Sequence, residues 1–163
     1  MYYNDVLSQG SFDGYVNEHI GTKIIYKQET GSTNTDIKQL GESGAASGSV
    51  IIASRQTGGK GRLGKSWAGA DDKDIYLSLL IRPDAAYGNI QMLTLPAGLC
   101  TAETVNEITG LSSMIKWPND IVLNGKKICG RLAESSITGN ELKFIALGVG
   151  INVNREGFPE ELR

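Results

Sequence analysis

Little in this sequence points to redox, metal or membrane chemistry. Only two cysteines, Cys100 and Cys129, occur in 163 residues. They lack metal-ligand spacing and lie in apolar surroundings, so buried free thiols in the reducing cytoplasm are expected. The single histidine, His19, sits in a polar stretch with no nearby residue to complete a metal site or a triad. It reads as structural or solvated, and no protein-held metal is expected. No apolar run approaches the roughly 18 residues of a membrane span. The opening MYYNDVLSQGSFDGY lacks the basic-then-apolar pattern of a signal peptide. A surplus of one charge sign is also missing: the net charge is -2, which gives no reason to expect duplex nucleic acid as main partner. With 40% apolar and 21% charged residues and no repeat or linker, one globular domain is expected.

What the sequence does have is glycine, and its densest run carries charge. Gly59–Ser66, GKGRLGKS, fits the spacing of a P-loop and of a dinucleotide fingerprint at once. Both motifs need a strand before the loop and a helix after it, because the helix N-terminus supplies the amides that hold phosphate. SVIIASR supplies the strand. After Ser66 comes WAGADDKDIYLSLLIRP, which predicts an acidic turn and another strand, so neither motif holds. The plain alternative is a hairpin whose glycines make turns. Against it, Gly58, Gly59, Gly61 and Gly64 alternate with Lys60, Arg62 and Lys65, a self-repelling segment that anionic groups would order. A mobile cationic clamp over a ligand is the expectation.

Along the chain, strands are predicted at Lys23–Gln28, Ser49–Arg55 and Ile75–Arg82, with a short helix from Thr35 to about Leu40. A second helix is predicted from near Leu95 to Ile108, with Leu95, Leu99, Ala102, Val105 and Ile108 on its core face. Strands then crowd the last third: Ser113–Trp117, Asp120–Leu123, Lys127–Ser135 and Glu141–Val153, two of them joined by the hairpin signal Asn124-Gly125. The class is α+β, with a mixed, largely antiparallel sheet and helices packed on one face. In the last strand, alternation puts Gly148, Gly150 and Asn152 on one side and Leu147, Val149, Ile151 and Val153 on the other. A face without bulk suits the close approach of a ligand or of another backbone.

Five segments together resemble the biotin–protein ligase family: Gln56–Trp67 (QTGGKGRLGKSW), Gly31-Ser-Thr-Asn34, Lys116-Trp-Pro-Asn-Asp120, Lys127-Ile-Cys-Gly130 leading to Glu134, and Gly148–Asn154 (GVGINVN). The resemblance covers roughly residues 22 to 162. It implies a fold like that of class II aminoacyl-tRNA synthetases and biotin ligases, and a single catalytic domain. That domain would be incomplete at its C-terminus, without an N-terminal winged-helix domain or a C-terminal SH3-like domain, and DNA-binding regulation is therefore not expected. It also implies an ATP-dependent ligase that forms biotinyl-5'-AMP and passes biotin to a lysine of a biotin carboxyl carrier protein. Mg²⁺ would accompany ATP, and a homodimer is possible.

Carried onto this sequence, biotin contact falls to Ser32, Thr33, Asn34, Gln56, Gly59, Lys60, Gly61, Arg62, Lys116, Gly130, Gly148 and Gly150. ATP or adenylate contact falls to Lys60, Arg62, Lys65, Trp67, Asn119, Lys116 and Asn152, with Lys116 and Arg62 as the catalytic pair. Each has a plainer reading: a hydroxyl of Ser32-Thr33 as a helix N-cap, Gln56 as a core amide, Lys116 as a rim lysine, Trp67 as core. Two alternatives share the chemistry or the site: a lipoate or octanoate ligase, whose apolar ligand lacks a ureido group, and a biotin-binding remnant without full activity. Two residues depart from the family pattern. Lysines stand at Lys60 and Lys65 where arginines are usual, which predicts weaker retention of the adenylate. Arg131 occupies a place that is usually apolar.

Overall fold

The computed structural model describes residues 7–15, 18–69, 73–83 and 91–154. Within the expected acidic turn, residues 70–72 lie outside them, as do residues 155–163.

The elements are β1 (Lys23–Thr30), α1 (Thr33–Glu42), β2 (Ser49–Gln56), β3 (Ile75–Ile81), α2 (Gln91–Thr109), β4 (Met114–Lys116), β5 (Asp120–Leu123), β6 (Lys126–Thr138) and β7 (Glu141–Ile151). All seven strands join one sheet in the order β1-β2-β3-β7-β6-β5-β4. Only β1 and β2 run parallel, the pairing that a crossover helix such as α1 permits; every other pair is antiparallel. The expected mixed, largely antiparallel α+β sheet is what forms. The Asn124-Gly125 turn has both residues at positive φ, 51° and 76°, the backbone that a tight two-residue hairpin demands. At the β1 edge a side chain substitutes for a neighbouring strand: Gln9 donates to the Ile24 carbonyl and accepts from the Tyr26 N–H.

The helices do not share one face, as the sequence reading had them. α1 buries Ile37 against Ile51, Leu80, Phe144 and Ala146, whereas α2 buries Ala102 against Ile121 and Cys129, with Val149 and Ile151 beside them. On β7 the two sets are an odd number of residues apart, so they point to opposite sides of the sheet. The physical reason is that β7 is apolar on both sides over part of its length, and each side requires a cover.

The expected face of α2 is also revised. Leu95, Leu99 and Ile108 are 52, 51 and 78% exposed, while Gly98 and Ala102 are buried. A side chain from the sheet explains the shift: a Cβ on Gly98 would lie 2.5 Å from Nη2 of Arg131, so the guanidinium occupies the space under the helix. α1 begins at Thr33, two residues earlier than expected, and β7 ends at Ile151 rather than Val153. Of the two thiols only Cys129 is buried; Cys100 is exposed on α2, against expectation.

Candidate functional site

On the α1 side of the sheet, register aligns two rows of residues. One runs Lys116, Asp120, Gly130, Gly150, Tyr76; the other runs Leu132, Gly148, Ser78, Ile51. The glycines keep the middle of these rows bare. A Cβ on Gly130 or Gly150 would come within 2.5 or 2.6 Å of the Trp67 ring, and one on Gly148 within 2.8 Å of Asn34 Oδ1. The bulk-free face of β7 therefore admits two side chains, Trp67 and Asn34, rather than only a ligand or a backbone. Trp67 lies flat in its glycine cradle with Lys127 Nζ 5.2 Å above its ring, a cation–π contact.

Above this floor lies an open cleft enclosing about 460 Å³, solvent at its mouth included. Ser32, Thr33, Asn34, Gln56, Lys60, Gly61, Arg62, Trp67, Asn119, Gly130, Gly148 and Gly150, all anticipated from the sequence, line it together. The chain achieves this by ending β1 and β2 side by side: α1 starts at one strand end and the glycine loop leaves from the other.

The wall at the start of α1 is buried and polar. Gln56 Oε1 accepts from the Thr33 backbone N–H at 2.7 Å and from Thr33 Oγ1 at 3.0 Å, so a strand-end amide caps the helix. Ser32, the N-cap residue, makes no side-chain cap bond. The N-cap reading of its hydroxyl is thereby set aside, and Ser32 lines the cleft instead. Ser78 Oγ, with no exposure, lies 2.9 Å from Thr33 Oγ1 and 3.1 Å from Asn34 Oδ1. Asn34 Nδ2 donates to Glu134 Oε2 at 2.5 Å, and Glu134 also pairs with Lys38 at 3.3 Å.

The glycine loop is a closed hairpin excursion rather than a loose clamp. Gly61 N–H donates to Lys65 O, Trp67 N–H donates to Gly59 O, and Lys60 bridges Ser66. The next regular element after Ser66 among the described residues is the strand β3, not a helix, in keeping with the rejection of both nucleotide motifs. One arm faces the cleft with Lys60, Gly61 and Arg62, and Arg62 Nη1 donates to Asn119 Oδ1 at 2.8 Å, tying the loop to the turn after β4.

Four anticipated residues are not in this lining. Lys65 is exposed on the far arm, and Gly59 lines a second cleft behind the loop, beside Thr57 and Ala68. Asn152 bonds to the backbone of Lys127 and Ile128. Lys116 is exposed at the sheet edge, but register puts it on the cleft side, two strands (about 10 Å) beyond Gly130.

Ser78, Lys127 and Glu134 were not among the anticipated contacts. Ser78 had a signal: in IYLSLLI, alternation puts the one polar residue on the same side as Tyr76 and Leu80, where a hydroxyl needs partners.

Two buried groups lie across the sheet, on the α2 side. Burial pushes the Cys129 thiol up to about 11 against the opposing effect of Arg131 and Lys127, so it is no nucleophile near neutrality. Burial likewise lowers the Arg131 pKa, and its three guanidinium nitrogens are buried without a hydrogen-bond partner among the described residues.

Comparison with known proteins places the chain in a family. Residues 26–152 match the model of the Biotin/lipoate A/B protein ligase family. The bifunctional ligase/repressor BirA of Bacillus subtilis is 34% identical over 152 residues, 92% of this chain and 47% of that protein. The biotin–[acetyl-CoA-carboxylase] ligase of Mycobacterium tuberculosis is 39% identical over 142 residues, 82% of this chain and 50% of its own length. Biotin protein ligase from Aquifex aeolicus, solved in complex with biotin and ATP, superposes with a TM-score of 0.74 at 36% identity, covering 86% of this chain and 56% of that one. The chain thus spans about half the length of the curated relatives it matches. With the match running from β1 to the end of β7 and taking in every element of the cleft, the chain belongs to the biotin/lipoate A/B protein ligase family.

Proposed function

We propose that this chain carries the biotin- and ATP-binding half-reaction site of a biotin–protein ligase. Biotin's carboxylate attacks the α-phosphorus of ATP, forming the carboxyl–phosphate bond of biotinyl-5'-AMP as pyrophosphate leaves. The ε-amine of a lysine on a biotin carboxyl carrier protein then attacks the carbonyl of that anhydride, and AMP departs.

The observation that carries the proposal is the pairing, in one cleft, of a buried polar wall (Ser32, Thr33, Gln56) with a cationic loop arm (Lys60, Arg62). A cyclic urea offers a carbonyl flanked by N–H groups, which suits a wall of hydroxyls and amides. Lys60 and Arg62 offset the repulsion between an attacking carboxylate and a polyphosphate. Arg62 is held in place by Asn119, so its charge is preorganised. Lys116, on the same side at the sheet edge, is proposed to neutralise charge on the transferring phosphate, and Trp67 to offer its flat face to the adenine.

Among the described residues no group of three or more His, Cys, Asp or Glu could hold a metal ion. Mg²⁺ is therefore proposed to enter on the phosphates of ATP. ATP as substrate and two free thiols suit a cytoplasmic setting; no helix among the described residues is long and apolar enough to cross a membrane.

The test is incubation with ATP, Mg²⁺, biotin and a carrier domain, followed by intact mass. A biotin-sized increase on the carrier is expected. Lipoylation of a lipoyl domain in its place would establish the sister activity, and biotin binding without adenylate would reduce the chain to a binding module.

A further inference from the structure

Protons can be counted along the buried wall. Gln56 must turn its amide oxygen inward, because that oxygen accepts the Thr33 backbone N–H. Asn34 must do likewise, because its Nδ2 is committed to Glu134, whose carboxylate only accepts. Four oxygens then stand in a row: Gln56 Oε1, Thr33 Oγ1, Ser78 Oγ and Asn34 Oδ1. They form three oxygen–oxygen contacts of 2.9 to 3.1 Å, yet only the Thr33 and Ser78 hydroxyls bring protons, two in all. One contact is always left with lone pair facing lone pair. Were Asn34 turned over, its NH₂ would supply the missing proton and the row would be closed.

We infer that Glu134 is a specificity-determining residue: by fixing the orientation of Asn34 it leaves the wall one proton short, and the ligand fills that place with an N–H group. This rests on the proposed reading of the cleft as the site for a cyclic urea. All four oxygen-bearing residues line the cleft, so a ligand N–H can reach the row, while Glu134 acts from β6, 100 residues along the chain from Asn34. A dithiolane head group has no N–H and would leave the wall unsatisfied, which gives a physical basis for choosing biotin over lipoate. Lys38 Nζ, 3.3 Å from Glu134 Oε1, pairs with the other carboxylate oxygen, leaving Oε2 to Asn34. Glu134 touches no reacting atom in this scheme; it is a positioning residue.

The test is calorimetric titration of the chain with biotin and, separately, with lipoic acid, in three variants. Glu134→Met removes the acceptor and frees Asn34 to turn. Biotin binding should weaken by about tenfold or more, the equivalent of one lost hydrogen bond to a polar group, with lipoic acid unchanged or improved. Glu134→Gln keeps an acceptor oxygen for Asn34 and should restore biotin binding to within about threefold of the parent. Ser78→Ala removes one proton and two contacts, leaving Thr33 bonded to Gln56 and Asn34 Oδ1 open. It should therefore perturb biotin binding less than Glu134→Met does. A merely structural role predicts the reverse order, since Ser78 has no exposure whereas the Glu134 side chain is 28% exposed. This comparison also stands if Glu134→Met folds poorly, because Glu134→Ala frees Asn34 in the same way. Biotin binding indifferent to loss of the Glu134 acceptor, or equal losses for biotin and lipoic acid, would overturn the inference alone. Absence of biotin binding by the parent chain would overturn the reading of the cleft, and the inference with it.

Discussion

Replacing Arg131 by methionine should stabilise the protein. The residue is 2% exposed, and Nε, Nη1 and Nη2 have no hydrogen-bond partner among the described residues. Removing such an ion from water costs several kcal/mol even after relaxation, and nothing here repays it through pairing. Part of that cost is offset by the apolar stem, which methionine retains. Substituting buried charge by apolar groups of similar volume has gained about 1–4 kcal/mol elsewhere; with no partner to orphan, we expect about 2–4 kcal/mol here. For a chain of this size that corresponds to a rise in Tm of about 5–12 °C. Burial lowers the guanidinium pKa from its ordinary value, so carrying the charge costs more in the folded than in the unfolded state. The penalty is complete below the lowered value and lifts only as pH rises through it, so the gain should be flat around neutrality. Urea denaturation followed by circular dichroism, with an unchanged m-value, measures it. Gly98→Ala is the internal control. In the parent its Cβ would meet Arg131 nitrogens at 2.5 and 2.6 Å, cancelling the helix-propensity gain of about 1 kcal/mol that the Arg131→Met background should reveal. If Arg131→Met is no more stable than the parent, the guanidinium is not the unsatisfied charge described here and the reasoning fails.

Other expectations follow from the site. Gly150→Ala places a methyl 2.6 Å from the Trp67 ring; it should destabilise the fold by about 1–3 kcal/mol and weaken ATP binding more than biotin binding, read by calorimetry. Lys60 lines the cleft and Lys65 does not, so Lys60→Arg should slow loss of biotinyl-AMP from the chain while Lys65→Arg leaves it unchanged; equal effects would count against the assigned arm. At about pH 8 a thiol reagent should modify exposed Cys100 and leave Cys129, whose thiol is held up at about 11, unmodified until denaturation. Labelling of both in the native protein, resolved by peptide mass, would contradict the burial.

Much of the fold was legible because its signals are local. Asn124-Gly125 needs positive φ at both residues, and SVIIASR and IYLSLLI announce strands by composition alone. The loop, Ser32-Thr33-Asn34 and Asn119 were legible as motifs, and the fold gathers them into one cleft. What escaped depends on partners distant in sequence. Leu95 and Leu99 fit a helical core stripe, but the space they would have filled is taken by Arg131, from a strand not yet formed in a linear reading. Whether two helices share a face depends on which parity of β7 each one meets, a choice made in three dimensions. Glu134 is legible only as the end of a motif, and its hold on Asn34 shows once the sheet brings the two together. The glycines of β7 announced a close approach, but only the packed structure says that Trp67 and Asn34 are what approaches.

The oxygen at the tip of Gln56 is shared between architecture and recognition: it closes the first turn of α1 and orients the Thr33 hydroxyl of the cleft. Variation at position 56 therefore cannot sample new ligand preferences without also loosening a helix end. In a survey of variants scored for cellular abundance, Gln56 would register as a folding residue, and its part in recognition would stay hidden behind degraded protein. The same coupling works in reverse: a ligand seated against Thr33 should brace α1, so binding and resistance to proteolysis at Thr33–Glu42 ought to rise together.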